Sequence, residues 1–105
     1  MNFEDIKIPG NIETVEGEKK MHSIFLFALS TCMWCKKGKL WLKENGYTYS
    51  FVDVDLLPLE EKRDLKSDLR EVFNILSIRY PFLVVDGMNF YSGFNIDNWK
   101  EMFSE

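Results

Sequence analysis

The stretch that decides the fold reads SIFLFALSTCMWC and runs from Ser23 to Cys35. The residues after Ser23 are apolar on both faces up to Leu29, which is typical of a central strand that helices cover on either side. Cys32 and Cys35, the chain's two cysteines, follow this strand. Because a lysine-rich, helix-like stretch comes next, residues 36–45, the sequence predicts that the cysteines lie at the start of a helix.

Cysteines in this position predict a dithiol redox centre. A helix start offers unpaired backbone N–H groups and the positive end of the helix dipole, and both favour a thiolate at Cys32 over the thiol. Lys36, Lys37 and Lys39 add positive charge nearby. The thiolate is the nucleophile of disulfide exchange, and Cys35, one turn further on, can close a disulfide with Cys32. We therefore expect Cys32 to be exposed and reactive, Cys35 to be more buried, and Lys36 and Lys37 to play a supporting electrostatic role.

Three alternative roles for the cysteines stay open. They could be core residues that fall at this spacing by chance. A structural zinc site needs four ligands, and only His22 and scattered carboxylates are left to supply the rest. A structural disulfide would close so small a loop that it would constrain little of the unfolded chain. The strand-to-helix context favours the redox centre, without a metal, over all three.

Length and composition predict one folded domain. The chain has 105 residues, 46% of them hydrophobic, which suffices for a single core. The net charge of −4 gives no support to nucleic-acid binding, and the longest apolar run, Ile24 to Leu29, is too short to span a bilayer. The first 21 residues lack the apolar segment of a signal peptide. We expect a cytoplasmic monomer with no nucleic-acid or membrane partner, and in that compartment a C-x-x-C is usually catalytic or metal-binding.

Hydrophobic patterning over the rest of the chain predicts the order β-α-β-α-β-β-α, an α/β sandwich around a mixed sheet of about four strands. Residues 1–21 read as an N-terminal extension that either pairs with a sheet edge or is partly mobile, ahead of a domain over residues 22–105. Gly38 is unusual inside a helix, and close packing of that helix against the sheet would explain it. The predicted elements after the cysteine helix are a strand over Tyr47–Asp55, a helix that starts at Pro58 and turns Leu65, Leu69, Val72, Phe73 and Leu76 to the core, a strand from Pro81 to Val85, an Asp86-Gly87 hairpin turn, a strand over Met88–Tyr91 and a helix from about Ile96 to Phe103.

These motifs resemble the glutaredoxins over roughly residues 22–103. Besides the C-x-x-C, Gly38-Lys39 stands where that family often has Ala-Lys. Pro81 stands where it has a cis-proline that opens the third strand, and Ser92-Gly93-Phe94 where it has a Gly-Gly turn. The resemblance implies a thioredoxin-like fold, thiol-disulfide exchange with Cys32 as nucleophile, and a cis bond before Pro81 that turns the Tyr80 backbone toward the substrate chain.

The Ser-Gly-Phe pattern is closest to the glutaredoxin-like NrdH-type redoxins. Dithiol glutaredoxins follow their glycines with an acidic pair that holds the γ-glutamyl end of glutathione, but Asn95 and Ile96 stand at those positions, with Asp97 one place later. NrdH-type redoxins feed electrons to ribonucleotide reductase and are reduced by a thioredoxin-reductase-type enzyme. The resemblance thus implies a protein reductase as donor, a disulfide-containing protein such as ribonucleotide reductase as substrate, no tightly bound cofactor besides the redox-active disulfide, and poor use of glutathione.

The surroundings of the cysteines supply the expected substrate contacts. Trp34 is either partly buried against Tyr80 or Phe94, or an apolar platform for a partner. Other functions stay open: a glutathione-dependent dithiol glutaredoxin, an iron–sulfur cluster carrier in which two subunits each give one cysteine together with glutathione, or a binding module whose C-x-x-C senses redox state. The residues expected to bind substrate are Trp34, Tyr80, Pro81, Ser92, Gly93, Phe94 and Asp97.

Overall fold

A mixed sheet of five strands forms the centre of the computed structural model, which describes residues 1–103. From one edge to the other, its strands lie in the order β1-β3-β2-β4-β5, with β2 and β3 parallel and every other pair antiparallel. The order predicted for residues 22–103 and the thioredoxin-like α/β class are confirmed. The elements are β1 (Glu13–Val15), β2 (Ile24–Ala28), α1 (Met33–Glu44), β3 (Tyr49–Asp53), α2 (Leu59–Phe73), β4 (Phe82–Val85), β5 (Asn89–Ser92) and α3 (Ile96–Phe103).

The central strand β2 divides the core into two halves. Successive side chains of a strand point to opposite faces, so Leu26 and Phe27, both fully buried, belong to different apolar clusters. One cluster contains Leu65 and Leu69 of α2, whereas the other contains Trp99 of α3 together with part of α1. The sheet is therefore covered on both faces, and the doubly apolar pattern of β2 follows from this burial.

The N-terminal extension supplies the fifth strand, in addition to the four or so that patterning predicts. Val15 pairs with Tyr49, so β1 runs antiparallel along the free edge of β3. Ile6 is also buried, in the same cluster as α2. Of the two alternatives for residues 1–21, the structure therefore shows pairing with a sheet edge.

Two details of the predicted helices are wrong. Leu76 is 97% exposed, because α2 ends at Phe73 and the chain reverses through Asn74 with a φ of 53°. The packing partner of Gly38 is α3 rather than the sheet. A Cβ atom at Gly38 would lie 2.9 Å from Cη2 of Trp99 and 3.3 Å from Cγ of Pro81. Glycine is needed there because a helix and a proline meet α1 at its second turn.

The Asp86-Gly87 turn is confirmed as the hairpin between β4 and β5. Asp86 and Gly87 both have positive φ angles, of 56° and 69°, and Met88 N–H donates to the Val85 carbonyl at 3.3 Å. Two consecutive positive φ angles are those of a type I′ turn, whose twist matches the strands that it joins.

Candidate active site

Cys32 is the N-cap residue of α1. Its backbone is extended, with φ −84° and ψ 119°, and its Sγ accepts a hydrogen bond from the Cys35 N–H at 3.2 Å. The side chain is half-buried, and the neighbouring side chains of Met33 and Trp34 are exposed. Both cysteines are free thiols in this structure. The sulfur of Cys32 is therefore held against the first turn of α1 by a backbone N–H of that turn.

Cys35 has the opposite surroundings. Its side chain is fully buried, and its Sγ accepts the Leu29 N–H at 3.5 Å. Burial raises the pKa of Cys35 to about 12, since desolvation penalises the thiolate, and the contact with Cys32 acts in the same direction. The Leu29 N–H and the charge of Lys39 pull that pKa down, but by less. At neutral pH Cys35 is therefore a thiol held directly beneath a more accessible sulfur.

The turn between β2 and α1 holds both sulfurs. The Cys32 N–H donates to the Leu29 carbonyl at 3.2 Å, so residues 29–32 form a tight turn. Within it, Ser30 donates its N–H and its hydroxyl to the two carboxylate oxygens of Asp55, at 2.8 and 2.6 Å. These two bonds hold the pKa of Asp55 below its usual range. Leu29, Ser30 and Asp55 are site residues that the sequence motifs do not predict; the available signal is a polar residue shortly after each of two adjacent parallel strands.

A groove of about 320 Å³ opens beside Trp34, which stands between the two cysteines in the sequence, and neither cysteine is among its lining residues. It brings together five of the seven residues expected to bind substrate, and three further residues that were not expected there. Over residues 1–103, Arg79 is the cationic side chain of the lining, and no carboxylate belongs to it. The lining consists of Trp34, Arg79, Tyr80, Tyr91, Ser92, Gly93, Phe94 and Asn95.

The Tyr80–Pro81 segment connects this groove with α1, because Tyr80 lines the groove and Cγ of Pro81 lies 3.3 Å from the position of a Cβ atom at Gly38. The Tyr80–Pro81 peptide bond is cis, as the resemblance implied. Pro81 is buried and its carbonyl accepts the Gly93 N–H at 2.9 Å, while the Arg79 N–H donates to Oγ of Ser92 at 2.7 Å. The Tyr80 hydroxyl is buried with no hydrogen-bond partner among the described residues. Burial raises the pKa of Tyr80 to about 12, and the charge of a Cys35 thiolate would raise it further.

Trp34 lies on the open wall of the groove and is not buried against its neighbours. Its side chain is 57% exposed, and Nζ of Lys37 lies 4.5 Å from the indole centroid. Lys36 is exposed. Asp97, in the first turn of α3, is exposed and does not line the groove. The structure thus places Trp34 and Lys37 beside the groove and leaves the Asp97 carboxylate outside its lining.

Within residues 1–103, no group of three or more His, Cys, Asp and Glu side chains is placed to hold a metal ion. Over the same residues, none of the helices has the length and apolar character that crossing a membrane requires.

Comparisons with known proteins agree with this geometry. Residues 24–88 match the family model described as Glutaredoxin. A crystal structure of a glutaredoxin from Methanosarcina mazei is 25% identical to the chain, with a TM-score of 0.74 over 91% of this chain and 90% of that one. Methanoredoxin from Methanosarcina acetivorans is 30% identical, with a TM-score of 0.65 over 79% of this chain and 85% of its own. A glutaredoxin from Archaeoglobus fulgidus is 26% identical, with a TM-score of 0.69 over 81% of this chain and 89% of its own. No curated protein sequence matches the chain significantly.

Proposed function

The chain belongs to the glutaredoxin family, and from this premise we propose that it reduces disulfides of proteins through the Cys32–Cys35 pair. Thiol oxidoreduction is the general activity of the family. The observation that carries the proposal is the pairing of a half-exposed sulfur at a helix start with a fully buried thiol one turn below it. Such an arrangement separates the attacking from the resolving cysteine.

The reaction proceeds in two displacements. In the first, the Cys32 thiolate attacks one sulfur of the substrate disulfide, forms a mixed disulfide with it, and the other substrate sulfur leaves as a thiolate. In the second, Cys35 loses its proton and attacks Sγ of Cys32, which releases the remaining substrate sulfur as a thiolate. Both released thiolates take up protons from solvent or from the site. The substrate gains two electrons, and the protein is left with a Cys32–Cys35 disulfide.

The two cysteines cannot exchange roles in this scheme. Cys35 has no exposed surface and a pKa of about 12, so it neither meets a bulky substrate nor is ionised at neutral pH. In the mixed disulfide, the burial of Cys35 no longer prevents attack, because the target sulfur is then one turn away in the same chain. The N–H of Leu29 and the charge of Lys39 help Cys35 to ionise, since both favour its thiolate.

We further propose that the reduced state is regenerated by a protein reductase of the thioredoxin-reductase type, as in NrdH-type redoxins, in the cytoplasm. Glutathione has two carboxylates and one ammonium group, and the ammonium group needs an anionic partner. Among the described residues, the groove beside Trp34 has no carboxylate in its lining, and Asp97 lies outside it. A missing charge-assisted bond of this kind forfeits about 1.5–3 kcal/mol, or roughly ten- to hundredfold in affinity. A ribonucleotide reductase is the substrate that the NrdH-like pattern suggests.

A second candidate is a glutathione-dependent glutaredoxin, and Arg79 is the observation in its favour. A guanidinium in the groove lining is a suitable partner for a glutathione carboxylate. The two candidates differ in the reductant that they use, so turnover of one protein disulfide substrate should be measured in parallel with each. Glutathione plus glutathione reductase should support little turnover, and NADPH plus thioredoxin reductase should support much more.

Variants of the two cysteines test the mechanism itself. Cys32→Ser should abolish turnover with every reductant, because the attacking sulfur is gone. Cys35→Ser should accumulate mixed disulfides with protein substrates, which mass spectrometry detects as covalent adducts at Cys32. Fast glutathione-coupled turnover that falls on Arg79→Ala would support the second candidate over the first. Turnover that survives Cys32→Ser would contradict both.

A further inference from the structure

The carboxylate of Asp55 holds the turn that carries the reactive cysteine. Ser30, which uses both its N–H and its hydroxyl on this carboxylate, lies two residues before Cys32. Asp55 itself comes from another part of the chain, the short 3-10 helix Val54–Leu56 that follows β3. Because β3 lies parallel to β2, the segments that follow the two strands emerge at the same end of the sheet, and the Asp55 carboxylate can reach the turn after β2.

Both partners of this contact have firm anchors. Val54 and Leu57, on either side of Asp55, are buried in the apolar cluster beneath α2. Ala28 is fully buried at the end of β2, and Leu29 packs against that same cluster. The Asp55–Ser30 bonds therefore join two segments whose neighbours cannot move freely, because interiors are close-packed.

The turn transmits this restraint to both sulfurs. The Leu29 carbonyl accepts the Cys32 N–H, and the Leu29 N–H donates to Sγ of Cys35. If Ser30 were released, the turn could shift away from the start of α1, and Cys32 and the buried sulfur would change their relative placement. Displacement at sulfur requires the three sulfur atoms to align, so this placement matters most in the resolving step.

We infer that Asp55 is a positioning residue for the resolving step, acting through Ser30 on the turn that aligns the sulfurs of Cys32 and Cys35. The inference deepens the proposed function and rests on it for the roles of the two cysteines. Asp55 touches no reacting atom, so its effect is confined to geometry. The side chain of Asp55 is needed for its two hydrogen bonds to Ser30 rather than for its charge.

The chain contains a matched control at the other end of β2. There Asp86 accepts the Ser23 N–H at 2.8 Å, and its other carboxylate oxygen lies 2.9 Å from Nδ1 of His22. This aspartate also uses both oxygens next to β2, one on Ser23 and the other on His22, but it lies at the end of β2 away from the cysteines. Alanine at Asp86 carries an added cost because φ is 56° there, so Asp86→Ala should destabilise the fold at least as much as Asp55→Ala.

A two-phase reaction separates the steps. When reduced protein reacts with an aromatic disulfide that releases coloured nitrothiobenzoate, Cys32 releases the first equivalent and the attack of Cys35 releases the second. Stopped-flow absorbance gives both rates without any reductase. In Asp55→Ala we expect the second phase to slow by at least about fivefold, since misplacement of about 1 Å can cost up to 10²-fold. Asp86→Ala should leave both phases within about twofold of the unsubstituted protein, whatever its loss of stability.

Two further variants keep the test decisive if Asp55→Ala does not fold. Ser30→Ala loses one of the two bonds and should slow the second phase by a smaller factor. Asp55→Asn removes the charge but can accept the Ser30 N–H and donate to its hydroxyl, so it should restore the second phase to within about twofold. A second phase that is unchanged in Ser30→Ala overturns the inference, and so does one that Asp55→Asn slows by more than about twofold. If the unsubstituted protein released only one equivalent, the proposed function would fall, and the inference with it.

Discussion

The central strand β2 is held by an aspartate at each of its ends, and only one of the two ends is chemically active. At the amino end, Asp86 binds the backbone of Ser23 and the ring of His22. At the carboxyl end, Asp55 binds the backbone and hydroxyl of Ser30. The contacts are alike in distance and in their use of both carboxylate oxygens. The difference in function therefore comes from what the chain does next.

After the amino-end contact the chain enters β2, and Asp86 itself forms part of a hairpin turn. After the carboxyl-end contact the chain completes the turn at Cys32 and enters α1, which carries Cys35. Two groups at this end resist ionisation. Cys35 and Tyr80 both have a pKa of about 12, and the Tyr80 hydroxyl has no partner among residues 1–103. Buried groups such as these can lower the stability of a folded protein, and proteins retain them where reactivity depends on them.

The largest expected effect is a loss of stability in alkali that originates at the active end. The pKa of Cys35 is raised in the folded state, so the unfolded chain loses this proton first, near the ordinary value of 9.0. Its contribution is fully present below that pH and is lost as the pH rises toward 12. At 1.36 kcal/mol per unit, the loss is on the order of 4 kcal/mol for Cys35 alone. Tyr80 acts in the same sense over the upper part of this range.

Urea unfolding of the reduced protein between pH 8 and pH 11 measures this loss, with Cys35→Ser as the control. A serine hydroxyl does not titrate in this range, so the variant should lose distinctly less stability as the pH rises. Tyr80→Phe should reduce the upper part of the loss in the same way, and it should not destabilise the protein at pH 7, because the hydroxyl that it removes has no partner among the described residues. If the free energy of unfolding fell equally with pH in the unsubstituted protein and both variants, Cys35 and Tyr80 would not cause the loss of stability in alkali.

The sequence predicts the active end better than it predicts what holds that end in place. The apolar run, the two cysteines and the helix after them are local signals, and they predict β2, α1 and which of the two sulfurs is the more accessible. The Ser30–Asp55 contact joins residues 25 positions apart, and no local pattern specifies which of many acidic residues will meet a given serine. The same limit applies to Gly38, whose helical position is evident but whose neighbour, Trp99, lies far away in the sequence.

The next largest effect is expected from substitution of a glycine in α1. Gly38 lies inside the helix near the active end, and Gly46, just beyond the helix, serves for comparison. Gly38→Val places side-chain atoms against the ring of Trp99, which is fully buried and fixed by a hydrogen bond from Nε1 to the Gly93 carbonyl at 3.1 Å. Overpacking of this kind costs about 1–3 kcal/mol. It also presses on Pro81, so both the midpoint of thermal unfolding and the rate of disulfide reduction should fall.

Gly46→Ala is the matched variant, beyond the carboxyl end of α1. Its φ is 77°, but a Cβ atom there meets nothing within 4 Å, so the cost is strain alone, of about 1–2 kcal/mol. Thermal unfolding should show a smaller loss than for Gly38→Val, with an unchanged rate of disulfide reduction per folded molecule. If Gly38→Val and Gly46→Ala lowered that rate equally, packing next to Pro81 would have no specific effect on the reaction.

The smallest expected effect lies in acid, where the two ends should behave alike. Hydrogen bonds from Ser30 hold the pKa of Asp55 below its usual range, and the bond with His22, followed by that from Ser23, does the same for Asp86. For a carboxyl group with a lowered pKa, the stability is present above the ordinary value of about 3.9 and is lost as the pH falls through the folded-state value.

Asp55→Asn and Asp86→Asn should each make the decline of stability between pH 4 and pH 2 shallower, and asparagine tolerates the positive φ at Asp86. The effect is small because both carboxylates are partly exposed to solvent, where screening weakens such interactions. Urea unfolding at several acidic pH values measures it, and a clear change in only one variant would show that the two aspartates do not hold β2 in equivalent ways.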